Sequence, residues 1–166
     1  CRGWGERTVT FNGLSKTYSM SGWRLGYGAA PQAIIQSLKR VHQYAVSCAS
    51  AFAQAGAVAA LTGPQACVTE MVAEFKRRRD LVVSAINGTG ALTCLEPGGA
   101  FYVWVNIQGT GINAEEFSMR LLEHEYVSLV PGPVFGASGQ GYVRISYANS
   151  YTRLEEAMRR LAKFCA

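Results

Sequence analysis

The sequence lacks any apolar run long enough to cross a bilayer. Its longest candidate, residues 49–61, is mainly alanine and is broken by Gln54 and Gly56, whereas a spanning helix needs about 20 apolar residues. It also lacks a cysteine framework. The cysteines, Cys1, Cys48, Cys67, Cys94 and Cys165, are odd in number, scattered and without a CxxC pair. That argues against both a disulfide scaffold and a metal site, and it reads as reduced thiols in the cytoplasm. Charge is sparse, at 16% of residues with a net charge of +5. This suits attraction of phosphates and dicarboxylates but leaves no nucleic-acid footprint. The one dense basic run, Lys76-Arg77-Arg78-Arg79, sits in a helical pattern. There neighbours rotate by about 100° each, so the four cannot share a face. A solvated helix surface is expected, with Arg79 near the apolar stripe and pairing with an acid. There is no internal repeat and no low-complexity segment. The chain opens on Cys1 rather than Met, which is read as the C-terminal piece of a longer protein.

What is present suits an ordered protein. The 166 residues are 49% hydrophobic, enough for one compact domain or two small ones. Chemistry concentrates in residues 12–27, where Lys16 lies among small and polar residues and Arg24 follows eight positions later. A lysine that forms a Schiff base with an aldehyde cofactor must present a neutral amine. A free lysine titrates near ~10.4, so such a site must disfavour the charge. Arg24 is a neighbouring cation and a fork for phosphate oxygens. Ser15, Ser19 and Ser21 offer hydroxyls to an anion. A surface lysine in a polar loop is the competing reading, and spacing alone does not decide between them.

The segment resembles the attachment signature of the class I/II aminotransferases, which use pyridoxal 5′-phosphate. The signature is carried by Gly13, Leu14, Ser15, Lys16, Arg24, Leu25 and Gly26, and the aspartate/aromatic branch is the most similar. The resemblance implies that Lys16 holds the cofactor and that Arg24 binds its phosphate. Some relatives add a serine where this chain has Gly13, so that hydroxyl contact falls to Ser15 or is absent.

Along the chain, short strands are expected at 8–11 and 23–27, and an amphipathic helix at 31–45 with Ile34, Ile35, Leu38, Val41 and Ala45 on one face. His42 beside that stripe reads as a packed or partly exposed helix histidine. Ser50 is expected to cap an alanine-rich helix, to about 61, packed closely on several sides. Thr62-Gly63-Pro64 is the expected domain boundary. A helix at 64–87 follows, then strands at 91–95 and 100–107 around the turn Pro97-Gly98-Gly99. Asn113 with Glu116 opens a helix to about 125. Strands at 127–130 and 142–147 and a final helix complete the pattern. That helix is capped by Ser150 or Thr152 and has Leu154, Met158, Leu161 and Ala162 on its inner face.

Arg144 lies mid-strand among apolar neighbours, where arginine needs a partner. Either an acid inside the domain pairs with it, or it is a fork for a substrate carboxylate. The surrounding run, VRISYA, resembles the family's carboxylate-binding arginine, which implies the second role. PGGAFYVW likewise resembles the family's small domain.

Taken over the whole chain, the resemblance implies an α/β fold, the fold type I of pyridoxal phosphate enzymes. Residues 1–63 would end a large domain with a mainly parallel sheet, and 64–166 would form the small domain. It further implies a homodimer acting on an amino acid and a 2-oxo acid, with no metal, nucleic acid or membrane involved. The alternatives are a β-lyase or an aminocyclopropane-carboxylate synthase-like enzyme on the same fold, or a non-catalytic fragment. The fragment reading is supported by the absence from this chain of an acid for the pyridine nitrogen, a stacking aromatic and a glycine-rich phosphate loop, so the chain alone is expected to be inactive. No arginine lies around 43–47 to read a side-chain carboxylate, which favours either a cation from elsewhere or a neutral side chain.

Overall fold

The computed structural model describes residues 5–166, so Cys1 lies outside the described residues. Two compact units are present, one ending at Glu70 and the other running Met71–Ala166.

The first unit is built on a hairpin. β1 (Thr10–Gly13) and β2 (Gly26–Ala29) pair antiparallel, from Thr10 opposite Ala29 to Gly13 opposite Gly26. The strand expected at 23–27 starts later because Ser21–Trp23 is a 3₁₀ turn and Arg24 takes the left-handed conformation, φ 53 and ψ 46. An extended strand has no place for that backbone. The strand expected at 8–11 is likewise displaced towards the loop.

α1 (Gln32–Val46) follows Pro31, whose φ of −54 its ring favours. The helix is where the periodicity puts it, and its apolar stripe is largely exposed among the described residues. No residue of α1 is buried; Ile34 and Ile35 are half-buried, while Leu38, Val41, Ala45 and His42 are exposed. α2 (Ala51–Thr62) starts after Ser50, which holds the N-cap position without a side-chain bond. Its expected packing on several sides is one-sided among the described residues. Ala53 and Ala57 are buried, and Phe52, Val58 and Leu61 are exposed.

α3 (Ala66–Asn87) spans the division between the units. The second unit is a four-stranded sheet ordered β3-β4-β6-β5, with β3 at Thr93–Cys94, β4 at Tyr102–Asn106, β5 at Val130–Pro131 and β6 at Tyr142–Ser146. Every described pairing is antiparallel, so the mainly parallel sheet implied for a large domain is not among the described strands. Alternation gives the sheet two faces. Val103, Val105, Val143 and Ile145 are buried with Val82 and Ile86 of α3, with Phe117 and Leu121 of α4 (Ala114–Glu125), and with Leu154, Met158 and Leu161 of α5 (Tyr151–Cys165). Tyr102, Trp104, Tyr142 and Arg144 alternate with those core residues, and each keeps some exposure.

Caps explain several boundaries. Asn113 accepts from the Glu116 amide at 2.9 Å, so α4 opens as its sequence dictates. Tyr126 ends it with φ 56, and the strand expected at 127–130 pairs only from Val130 onward. Ser150 precedes α5 without a side-chain cap bond. Ala162 is exposed, and Ala157, Phe164 and Cys165 complete the inner face instead.

The basic run of α3 is paired. Arg77 and Arg78 both donate to Glu74, at 2.8 and 2.7 Å. Arg77 also lies 3.6 Å from the Tyr151 ring centre. Arg79 bridges Asp80 and Glu96, each at 2.7 Å. Hydrogen bonds from Arg77 and Arg78 hold the Glu74 carboxyl down from 4.5 to about 2. Those from Arg159 and Arg160 do the same to Glu156. These carboxyls bind protons less readily folded than unfolded. Their stabilisation is therefore complete above about pH 5 and is lost as pH falls through about 2; solvent screening keeps it small. The melting temperature, followed by circular dichroism, is expected to fall with acid across that window. It should fall less steeply in the double variant Glu74→Gln/Glu156→Gln.

Candidate active site

The loop joining β1 to β2 carries Ser15, Lys16 and Arg24. It is tied at its base by the Leu14 amide bonding the Leu25 carbonyl at 3.4 Å. Leu14, two residues before Lys16, and Leu25, next to Arg24, are thus hydrogen-bonded at the same end of the hairpin. The turn then winds around the Leu14 carbonyl, which accepts from the Tyr18 and Met20 amides, while the Ser19 amide donates to Lys16. Leu14 and Met20 are buried in a small cluster with Ala57, against which Tyr18, Leu25 and Ala60 pack. Apolar side chains therefore anchor the turn on α2 and leave Lys16 and Arg24 exposed, with Ser15 half-buried. Arg24 Nη1 donates to the Ser21 carbonyl at 3.0 Å, which helps hold a left-handed residue that is not glycine.

Sequence reasoning missed the residues that seat this loop. The Trp23 ring packs against Phe52, with centroids 6.0 Å apart. A Cβ added at Gly56 would stand 2.6 Å from the Trp23 ring, so only glycine admits that approach. Tyr18 donates to Gln65 at 3.1 Å, and Gln65 in turn donates to the Ala60 and Gly63 carbonyls. The available signal was the pairing of apolar Leu14 and Met20 with small residues on α2. At Gly26, a Cβ would come within 2.9 Å of the Asn12 carbonyl oxygen, so that glycine of the signature allows the strands to close.

Arg144 sits on β6 in the second unit, opposite Trp104 of β4 and Val130 of β5. Its guanidinium carbon lies 4.2 Å from the Tyr102 ring centre and 4.6 Å from that of Phe135. Among the described residues it has no carboxylate partner. The internal ion pair considered for it is therefore not what holds it there.

The donor set fits a phosphorylated aldehyde. One loop supplies a primary amine, a guanidinium without a carboxylate partner among the described residues, and the hydroxyls of Ser15, Ser19 and Ser21. These are the groups that a carbonyl carbon and a phosphate dianion respectively take.

The family model for aminotransferase class I and II matches residues 3–161. The chain is 45% identical over 160 residues to aromatic-amino-acid aminotransferase 2 of Thermococcus litoralis, covering 95% of this chain and 41% of that protein. It is 46% identical over 160 residues to an aspartate aminotransferase of Pyrococcus abyssi, with the same coverage of 95% and 41%. The crystal structure of an aromatic aminotransferase from Pyrococcus horikoshii superposes with a TM-score of 0.93 at 44% identity, over 99% of this chain and 44% of that one. The chain thus shares the α/β fold of these enzymes while spanning about two fifths of their length. By sequence and by fold, it belongs to the class I and II aminotransferases.

Proposed function

We propose that the protein carrying this chain is a pyridoxal 5′-phosphate-dependent aminotransferase moving an amino group between an amino acid and a 2-oxo acid. The observation that carries this reading is the hairpin loop that roots Lys16 and Arg24 on one buried cluster with the family's spacing. The cofactor, when bound, supplies the electron sink for chemistry at the substrate Cα. Lys16 Nζ would hold the cofactor covalently and, when free, would take the substrate Cα proton and return it. Arg24 binds the phosphate, with the Ser15 hydroxyl as a further donor. Arg144 receives the substrate α-carboxylate on its two parallel N–H groups and so orients the Cα–H bond.

Residues 1–63 are assigned to the end of the large domain and 64–166 to the small domain. A homodimer is part of the same reading; the apolar stripe of α1, exposed along the described residues, requires further protein to cover it, from the rest of the protein or from a second copy. The four described cysteines are free, which suits the cytoplasm. Among the described residues, no helix is long and apolar enough to cross a membrane. With no arginine near 43–47, either a cation from elsewhere in the protein reads a side-chain carboxylate or the substrate has a neutral side chain.

Product analysis tests the reaction. Aspartate, alanine or phenylalanine is supplied with 2-oxoglutarate to the intact protein. Stoichiometric formation of the donor's 2-oxo acid and glutamate is expected. Release of ammonia or of a cyclic product in place of glutamate would mean a lyase or a ring-closing enzyme on the same fold.

A further inference from the structure

The geometry points to Tyr102 and Phe135 as positioning residues that hold the Arg144 guanidinium ready for a carboxylate, a role that rests on the carboxylate-binding reading of Arg144. The structure holds this arginine with rings rather than an acid. Tyr102 and Phe135 lie 4.2 and 4.6 Å from its guanidinium carbon. A ring face attracts the cation without consuming its in-plane N–H donors. An acid partner would occupy those donors and compete with substrate.

The rings are themselves braced. Trp104 meets Phe135 at 5.5 Å with planes at 74° and stacks on Tyr142 at 5.9 Å with planes at 14°. Tyr102 contacts Phe101 at 4.5 Å. Phe135 ends the 3₁₀ segment Gly132–Phe135, whose Gly132 is buried against Gly139. A Cβ on either glycine would collide with the carbonyl oxygen of the other. The backbone is thereby closed on itself at the base of the loop that carries the ring. An arginine side chain has several rotatable bonds, and freezing them on binding costs affinity. Rings that freeze them beforehand remove that cost, so their contribution is expected in substrate affinity rather than in the chemical step.

The test uses Tyr102→Leu, Phe135→Leu, Tyr102→Phe and Arg144→Ala in the cofactor-loaded protein, with phenylalanine as donor. Each leucine variant is expected to raise KM by roughly 3–10-fold with kcat nearly unchanged, and Tyr102→Phe, which keeps the ring, to stay near the unaltered KM. A second readout needs no activity. In this chain with labelled arginine, the side-chain proton resonances of Arg144 should be displaced by ring currents, and each leucine variant should move them towards the free-arginine position. Leucine variants that leave both KM and those resonances unchanged, while Arg144→Ala raises KM, would overturn the positioning role alone. If Arg144→Ala itself leaves KM unchanged, the carboxylate reading fails and the proposal falls with it.

Discussion

Lys16→Ala is expected to abolish transamination in the intact protein, lowering turnover by on the order of 10⁴-fold or more, because the proposed function gives one side chain the work of both covalent anchor and proton carrier. Lys16→Arg makes the sharper test. Arginine keeps the positive charge but is not deprotonated in proteins. If Lys16 served only as a cation for a phosphate, the arginine variant would retain much of the activity. If Nζ must be a nucleophile and a base, both variants are equally inactive. Borohydride reduction in the presence of pyridoxal phosphate gives an independent check. Peptide mass spectrometry should locate a pyridoxyl group on Lys16 in the unaltered protein and find none at that position in either variant. Label distributed over other lysines with none on Lys16 would overturn the assignment.

The seat of that lysine was only partly legible in the sequence. The spacing of Lys16, Arg24 and Gly26 is a local pattern and reads directly. What holds it is not local. Leu14 and Met20 look like incidental apolar residues in a polar loop until α2 brings Ala57 beneath them. Gly56 looks like an interruption of an alanine-rich helix until Trp23 is found against it. The helices at 32–46, 66–87 and 114–125 were legible because an apolar period and terminal residues agree in each. The strands were legible in alternation but less so in extent, since Arg24 and Tyr126 hold left-handed backbones that their residue types do not announce. The apolar stripe of α1 was legible, but its exposure in this chain was not. Periodicity reports that a face is apolar, but not which part of a protein covers it.

Arg144→Ala is expected to spare cofactor loading and to weaken the amino acid by about 3 kcal/mol, roughly a hundredfold in KM, because under the proposed function two charge-assisted hydrogen bonds are lost together. The loss depends on geometry as well as charge, so Arg144→Lys should recover only part of it. An ammonium is a point donor and cannot reproduce two parallel N–H bonds to one carboxylate. The same variants should be compared on phenylalanine and on phenethylamine, which has the ring and the amine but no carboxylate. For the amine, Arg144→Ala has no carboxylate contact to remove, and its residual affinity should barely change. The cofactor's absorbance reports its attachment rather than this contact and should be unaltered. Equal losses for acid and amine would mean that Arg144 supports the small domain rather than the substrate. Its placement argues otherwise: a half-buried cation held by Tyr102 and Phe135, with no carboxylate partner among the described residues, is poorly explained as structural bracing. A half-buried guanidinium held by rings keeps its N–H donors available to an anion that arrives to meet them.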